Sequence, residues 1–363
     1  MKNENNKSIS KKGQLEISFN WIFILLAGGA ILIFFIFVIT KESDQSSDIT
    51  NYQIVKRMDS LLAAVEQNPL VMKDLGHLSS KIDFACQDGL HVYALKEGKN
   101  NPELKTQLVF TPESLGDARL WAWTKDYGAP YPVSSLLYLS DSKTLYVFQK
   151  DSGVIKELYE NFADNFTKLN AEISFIRNMK DTGINKYILV VSKLGYQALR
   201  NNMGSSIRSK ITFVVIDDTN PSLYPGKVAF YKYRTAAPYS IDDNTPGVDY
   251  ESPYTSEEML YGAIVTGDKS LYECIINKLM KKNVVVDRIN TMRLKALEPK
   301  FSSLDICRTF MGGYTISVIQ EKTTRAQGFI DDTNDWYIDF YDRVKELERT
   351  RNEMLRQGCP TLY

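Results

Sequence analysis

The hydrophobic pattern changes period four times along the chain. Residues 21–39 form an almost wholly apolar run, WIFILLAGGAILIFFIFVI, and no charge falls between Ile17 and Thr40. A spanning helix needs about 20 such residues at ~1.5 Å rise each, so a transmembrane helix is expected over 19–40. A polar joint follows at 41–48. Ile54, Val55, Met58, Leu61, Leu62 and Val65 then recur at helical spacing until Asn68-Pro69, which predicts an amphipathic stalk helix within 41–80.

From 81 to 150 the pattern is that of strands. Short apolar or alternating runs at 82–86, 90–95, 108–110, 120–123, 136–139 and 145–148 are separated by Gly, Pro, Asp and Asn. A helix is predicted over 154–179, then strands at 187–191 and 211–216 with a helix near 194–202 between them. That alternation argues for a βαβ core with parallel pairing, and 228–233 reads as an antiparallel addition. Residues 236–253 read as loop. Helices are expected at 256–265, 269–281, 286–297 and 336–357. The expected fold class is α/β: a mixed sheet with a βαβ core (81–255) and a C-terminal helical layer of the same domain (256–363). One N-terminal transmembrane helix precedes it.

Composition and charge refine this picture. The 363 residues are 44% hydrophobic and 24% charged, as in globular proteins, and formal net charge is zero. Nothing suggests a nucleic-acid surface, which needs a basic stripe. Lys2, Lys7, Lys11 and Lys12 precede the apolar run, whereas Lys41 and an acidic stretch follow it. The positive-inside rule makes 1–18 a cytoplasmic basic leader and places the bulk of the chain outside, with the lipid bilayer as one partner. Tyr is abundant, at 21 residues, which suits either binding surfaces or β-rich packing.

The segment KKGQLEISFNWIF, residues 11–23, resembles the class III processing signal of archaeal type IV pilin-like proteins. The resemblance covers about 30 residues. It implies cleavage between Gly13 and Gln14, and a hydrophobic helix that assembles with envelope proteins or with copies of itself. In that family the Glu usually lies four residues after the Gln, whereas here Glu16 lies two after Gln14. The whole chain, including the closing CPTLY, also resembles large archaeal envelope proteins.

Cys86, Cys274, Cys307 and Cys359 form no CxxC pattern, and only His77 and His91 could join them, which argues against zinc. Two disulfides are expected in an outer compartment, with free thiols as the alternative. Three connectivities exist; Cys274–Cys307 within the helical layer, leaving Cys86–Cys359, is the favoured one. Asn165-Phe166-Thr167 is a glycosylation sequon on the predicted helix.

Residues 262–270, GAIVTGDKS, resemble a phosphate loop with one residue too many. Asp268 would repel phosphate there, so a helix break capped by Asp268 is expected instead. Acidic clusters at 217–218, 242–244 and 331–335 offer oxygen ligands but follow no EF-hand pattern, and solvated turns are expected. No metal, cofactor or catalytic residue is assigned. The leading expectation is a non-enzymatic, membrane-anchored cell-envelope protein with a structural or protein-contact role, pilin-like in one version. The alternative is an extracytoplasmic ligand-binding or hydrolytic domain whose site lies on loops near 192–195 and 217–220, at the carboxyl ends of the βαβ strands. A deep pocket with convergent polar groups there would favour the alternative.

Overall fold

The computed structural model describes residues 25, 27–34, 72–78, 81–87, 90–95, 108–116, 118–200, 202–204, 206–217, 224–232, 251–301, 307, 313–330 and 336–359. The chain divides into two compact units, 1–56 and 57–363. In the first, Leu25 and residues 27–34 are helical, with Leu25, Ile31, Leu32, Ile33 and Phe34 exposed. The expected transmembrane helix over 19–40 is corrected here. Among the described residues no helix is long and apolar enough to cross a membrane. The rest of 19–40, the leader with Gly13 and Gln14, and the predicted stalk helix lie outside the described residues.

The second unit is mixed α/β. Its strands are β1 (Met72–Leu78), β2 (Ile82–Gln87), β3 (Leu90–Leu95), β4 (Val109–Phe110), β5 (Ser114–Leu115), β6 (Ala118–Gly128), β7 (Pro132–Asp141) and β8 (Thr144–Gln149). Then come helix α1 (Gly153–Asn161), β9 (Lys168–Ala171), α2 (Ile173–Arg177), β10 (Lys186–Ser192), α3 (Lys193–Leu199), β11 (Ile211–Ile216), β12 (Gly226–Lys232) and β13 (Glu251–Tyr254). Helices α4 (Glu257–Thr266), α5 (Lys269–Leu297), α6 (Thr315–Ile330) and α7 (Trp336–Arg356) complete it.

Strands β10 (KYILVVS) and β11 (ITFVVI) are apolar on both faces because both faces are covered. Ile188, Val190, Val214 and Ile216 enter one core, while Tyr187, Leu189, Val191, Phe213 and Val215 enter the other. The sheet runs β13-β12-β11-β10-β8-β9. Strands β9, β8, β10 and β11 are parallel, and β12 and β13 are added antiparallel. A second sheet, β1-β6-β7-β4, is built on the long β6–β7 hairpin, and a small one runs β3-β2-β5. Helix α4 packs against strands of both larger sheets. Residues 259–266 of it are all buried, and a Cβ on Gly262 would meet the Phe110 ring at 2.4 Å. Glycine there lets helix and sheet close.

Several local expectations are revised. The helix predicted over 154–179 stops at Asn161, because Phe162 and Phe166 turn inward to pack edge-on against one another in the core. Residues 168–171 then extend the sheet beside β8. The two helices expected at 269–281 and 286–297 are one, α5, whose Asn283 faces the interior rather than breaking the helix. Strand β1 occupies part of the segment assigned to joint and stalk, paired antiparallel with β6. Helix α6 was not predicted.

All four cysteines are paired, as Cys86–Cys274 and Cys307–Cys359. The favoured connectivity is therefore wrong. Strand β2 packs on α5, which brings Cys86 to Cys274. At the end of α7, Gly358 adopts φ +72° and Cys359 N–H donates to Met354 O, turning the chain back into a cluster containing Cys307, Leu294 and Ile319.

Candidate functional site

In an open sheet with parallel strands, ligands usually sit at the carboxyl edge where successive connections leave for opposite faces. Here that point lies between β8 and β10. After β8, α1 places Ile155 and Leu158 in one core; after β10, α3 places Tyr196 and Leu199 in the other. The crevice between them is filled by Gln149. Its Oε1 accepts from Ser192 N–H at 2.9 Å, and a Cβ on Gly195 would stand 2.1 Å from that oxygen. Ser192 caps α3 by accepting from Gly195 N–H at 3.1 Å. Gly195 therefore makes room for a plug, and the usual crevice is closed.

The open space lies beside it. A cleft of about 570 Å³ runs along the carboxyl end of β11 and over β12 and β13. Along β12, Val228 and Phe230 point into one core, so Ala229 and Tyr231 face the opposite side. Helix α3 flanks that face with Lys193, Tyr196 and Gln197, followed by Arg200. The Tyr196 and Tyr231 rings stack at 4.4 Å and 13°. Asp217, just past β11, and Glu251 on β13 supply carboxylates, and Tyr337 of α7 closes one end. Lys227 Nζ is 3.9 Å from Glu251 and 5.8 Å from the centre of the Tyr337 ring. Burial pushes the Tyr254 hydroxyl well above its ordinary pKa, so at this wall it is a neutral donor and acceptor. Gly226 is needed beside it, since a Cβ there would meet the Tyr254 hydroxyl at 2.5 Å.

Of the loops singled out from sequence, Lys193 and Asp217 reach the cleft, Ser192 serves as a cap, and Gly195 accommodates Gln149. Residues 218–220 lie outside the described residues, as do the acidic clusters at 242–244 and 331–335. Among the described residues no group of three His, Cys, Asp or Glu could hold a metal. Gly267, at φ +57°, ends α4, and Asp268 caps α5 by accepting from Leu271 N–H at 2.9 Å. The phosphate-loop likeness at 262–270 is a helix junction. Asn165 falls in an exposed turn between α1 and β9, not on a helix.

The sequence did not reveal Tyr196, Arg200, Tyr231, Glu251 or Tyr337 as neighbours. The Tyr count was the available signal, but it points mainly elsewhere: Tyr127, Tyr131, Tyr138, Tyr146, Tyr187, Tyr261 and Tyr272 are among the largest fully buried side chains. No protein-family model, curated protein or solved structure matches the chain.

Proposed function

We propose that the second unit is an extracytoplasmic binding domain whose site is the tyrosine-walled cleft at the carboxyl edge of the six-stranded sheet. The observation that carries this reading is the cleft itself. Its ~570 Å³ lies within the ordinary size of a small-ligand site, and it combines stacked rings with carboxylates, amines and an amide. Two disulfides support an oxidising compartment outside the cytoplasm. Aromatic faces beside hydrogen-bonding groups of both signs suit a polar ligand with an apolar face, and a saccharide unit has that character. The described lining residues include no Ser, Thr, Cys or His, and no catalytic step is assigned.

Saturation-transfer NMR of the full chain against a panel of soluble di- and trisaccharides tests this. At least one sugar class is expected to bind saturably, with Tyr231→Ala and Arg200→Ala each weakening it about tenfold. Absence of transfer from every sugar would overturn the saccharide assignment. Self-association insensitive to Tyr231→Ala would instead favour a structural role.

A further inference from the structure

A second cavity, of about 510 Å³, opens at the opposite edge of the same sheet, where β8, β10 and β11 begin. Five lysines line it: Lys81, Lys143, Lys186, Lys210 and Lys232. Most nearby carboxylates are already engaged. Asp141 accepts from Gly116 N–H at 2.8 Å, from Thr144 Oγ1 at 2.8 Å and from Lys143 N–H at 3.1 Å. Lys232 bridges Glu113 at 2.5 Å and Asp268 at 2.6 Å. Lys210 binds Asp181 at 2.6 Å and donates to Ile184 O at 3.0 Å, and Lys81 pairs with Asp83 at 2.8 Å.

Two amines remain. Lys186 Nζ is buried and makes no hydrogen bond; it stands 3.7 Å from Glu113 Oε2, on a carboxylate whose other oxygen is bound by Lys232. Lys143 has no ion pair among the described residues. An ammonium carries three donors and no acceptor, so a buried one without a hydrogen bond is short of an acceptor. Desolvation lowers the Lys186 pKa, the electrostatic mark of the same deficit. Ser114, Ser209 and Thr212 add hydroxyl donors to the walls.

We propose that this cavity binds an oxyanion, the phosphate or sulfate group of a small ligand, with Lys186 as its central donor and Lys143 beside it. A tetrahedral oxyanion offers several acceptors at once, which matches amines and hydroxyls converging from separate strands. The site is distinct from the tyrosine-walled cleft and does not depend on a ligand there.

Calorimetric titration of the full chain at low ionic strength with inorganic phosphate, sulfate and glycerol 3-phosphate tests it. Saturable binding of at least one is expected, weakened at least tenfold by Lys186→Gln and about threefold by Lys143→Gln, and unchanged by Tyr231→Ala. Tighter binding of the ester than of the free ions identifies an organic phosphate as the ligand; equal binding identifies the free ion. Lys143 is half-exposed, so Lys143→Gln remains informative if Lys186→Gln fails to fold. No saturable binding by any probe, or affinities unmoved in both lysine variants, would overturn the proposal.

Discussion

Lys322 Nζ stands 2.6 Å from Asp287 Oδ1, with both side chains wholly excluded from solvent. Lys322 also donates to Ala129 O, to Tyr131 Oη at 3.1 Å and to Asn283 Oδ1 at 3.3 Å. Asp287 accepts from Tyr131 Oη and, at 3.1 Å, from Thr323 Oγ1. One network thus joins the β6–β7 turn to α5 and α6. Removing one partner strands the other charge. Lys322→Met and Asp287→Leu should each cost about 3–5 kcal/mol in denaturant unfolding, while the double variant should recover most of that loss. Additive losses in the double variant would refute the coupling.

The pair also predicts a pH profile. Burial lowers the Lys322 pKa from 10.5 to about 8. Between those values the unfolded chain holds a proton that the folded chain has released, so stability should rise with pH across that window, by up to ~3 kcal/mol. Burial raises the Asp287 pKa above 3.8. There the folded chain holds the extra proton, and stability should fall as pH rises through that acidic range. Unfolding free energies of the parent protein minus those of Lys322→Met, measured from pH 4 to 10.5, isolate the alkaline limb. A flat difference above pH 8 would be inconsistent with it.

Peptide mapping without reduction should recover Cys86 linked to Cys274 and Cys307 linked to Cys359, with no alkylated cysteine in the folded protein. With separations of 188 and 52 residues, the chain-entropy model gives the bridges about 5 and 4 kcal/mol as upper values. A Cys274–Cys307 peptide would contradict the packing of β2 on α5.

Gly195→Ala should destabilise by about 1–3 kcal/mol, because the new methyl group would occupy the place of the Gln149 amide. Adding Gln149→Ala should restore much of the loss by vacating the crevice. No recovery would show that Gln149 is not the obstruction.

Elements that declare themselves through their own side chains were readable in the sequence. The continuous apolar runs of β10 and β11 and the Asp268 cap are of that kind. Elements defined by a neighbour were not. Strand β9 (KLNA) has no strand pattern and exists because it pairs with β8. Helix α6 was hidden because its inward face carries Lys322, a charged residue that belongs to the interior. The cleft is harder still to read. Its rings and charges come from α3, β11, β12, β13 and α7, stretches whose spacing in sequence carries no trace of their meeting.

The Cys86–Cys274 bridge encloses everything from β3 to α4, including both sheet edges that carry cavities. A protease cutting once anywhere between those cysteines would produce two fragments still held by a covalent tether. A nicked molecule would keep its two halves together. Such damage would show as a band shift only after reduction. The bridge makes severing the backbone and losing the protein two separate events.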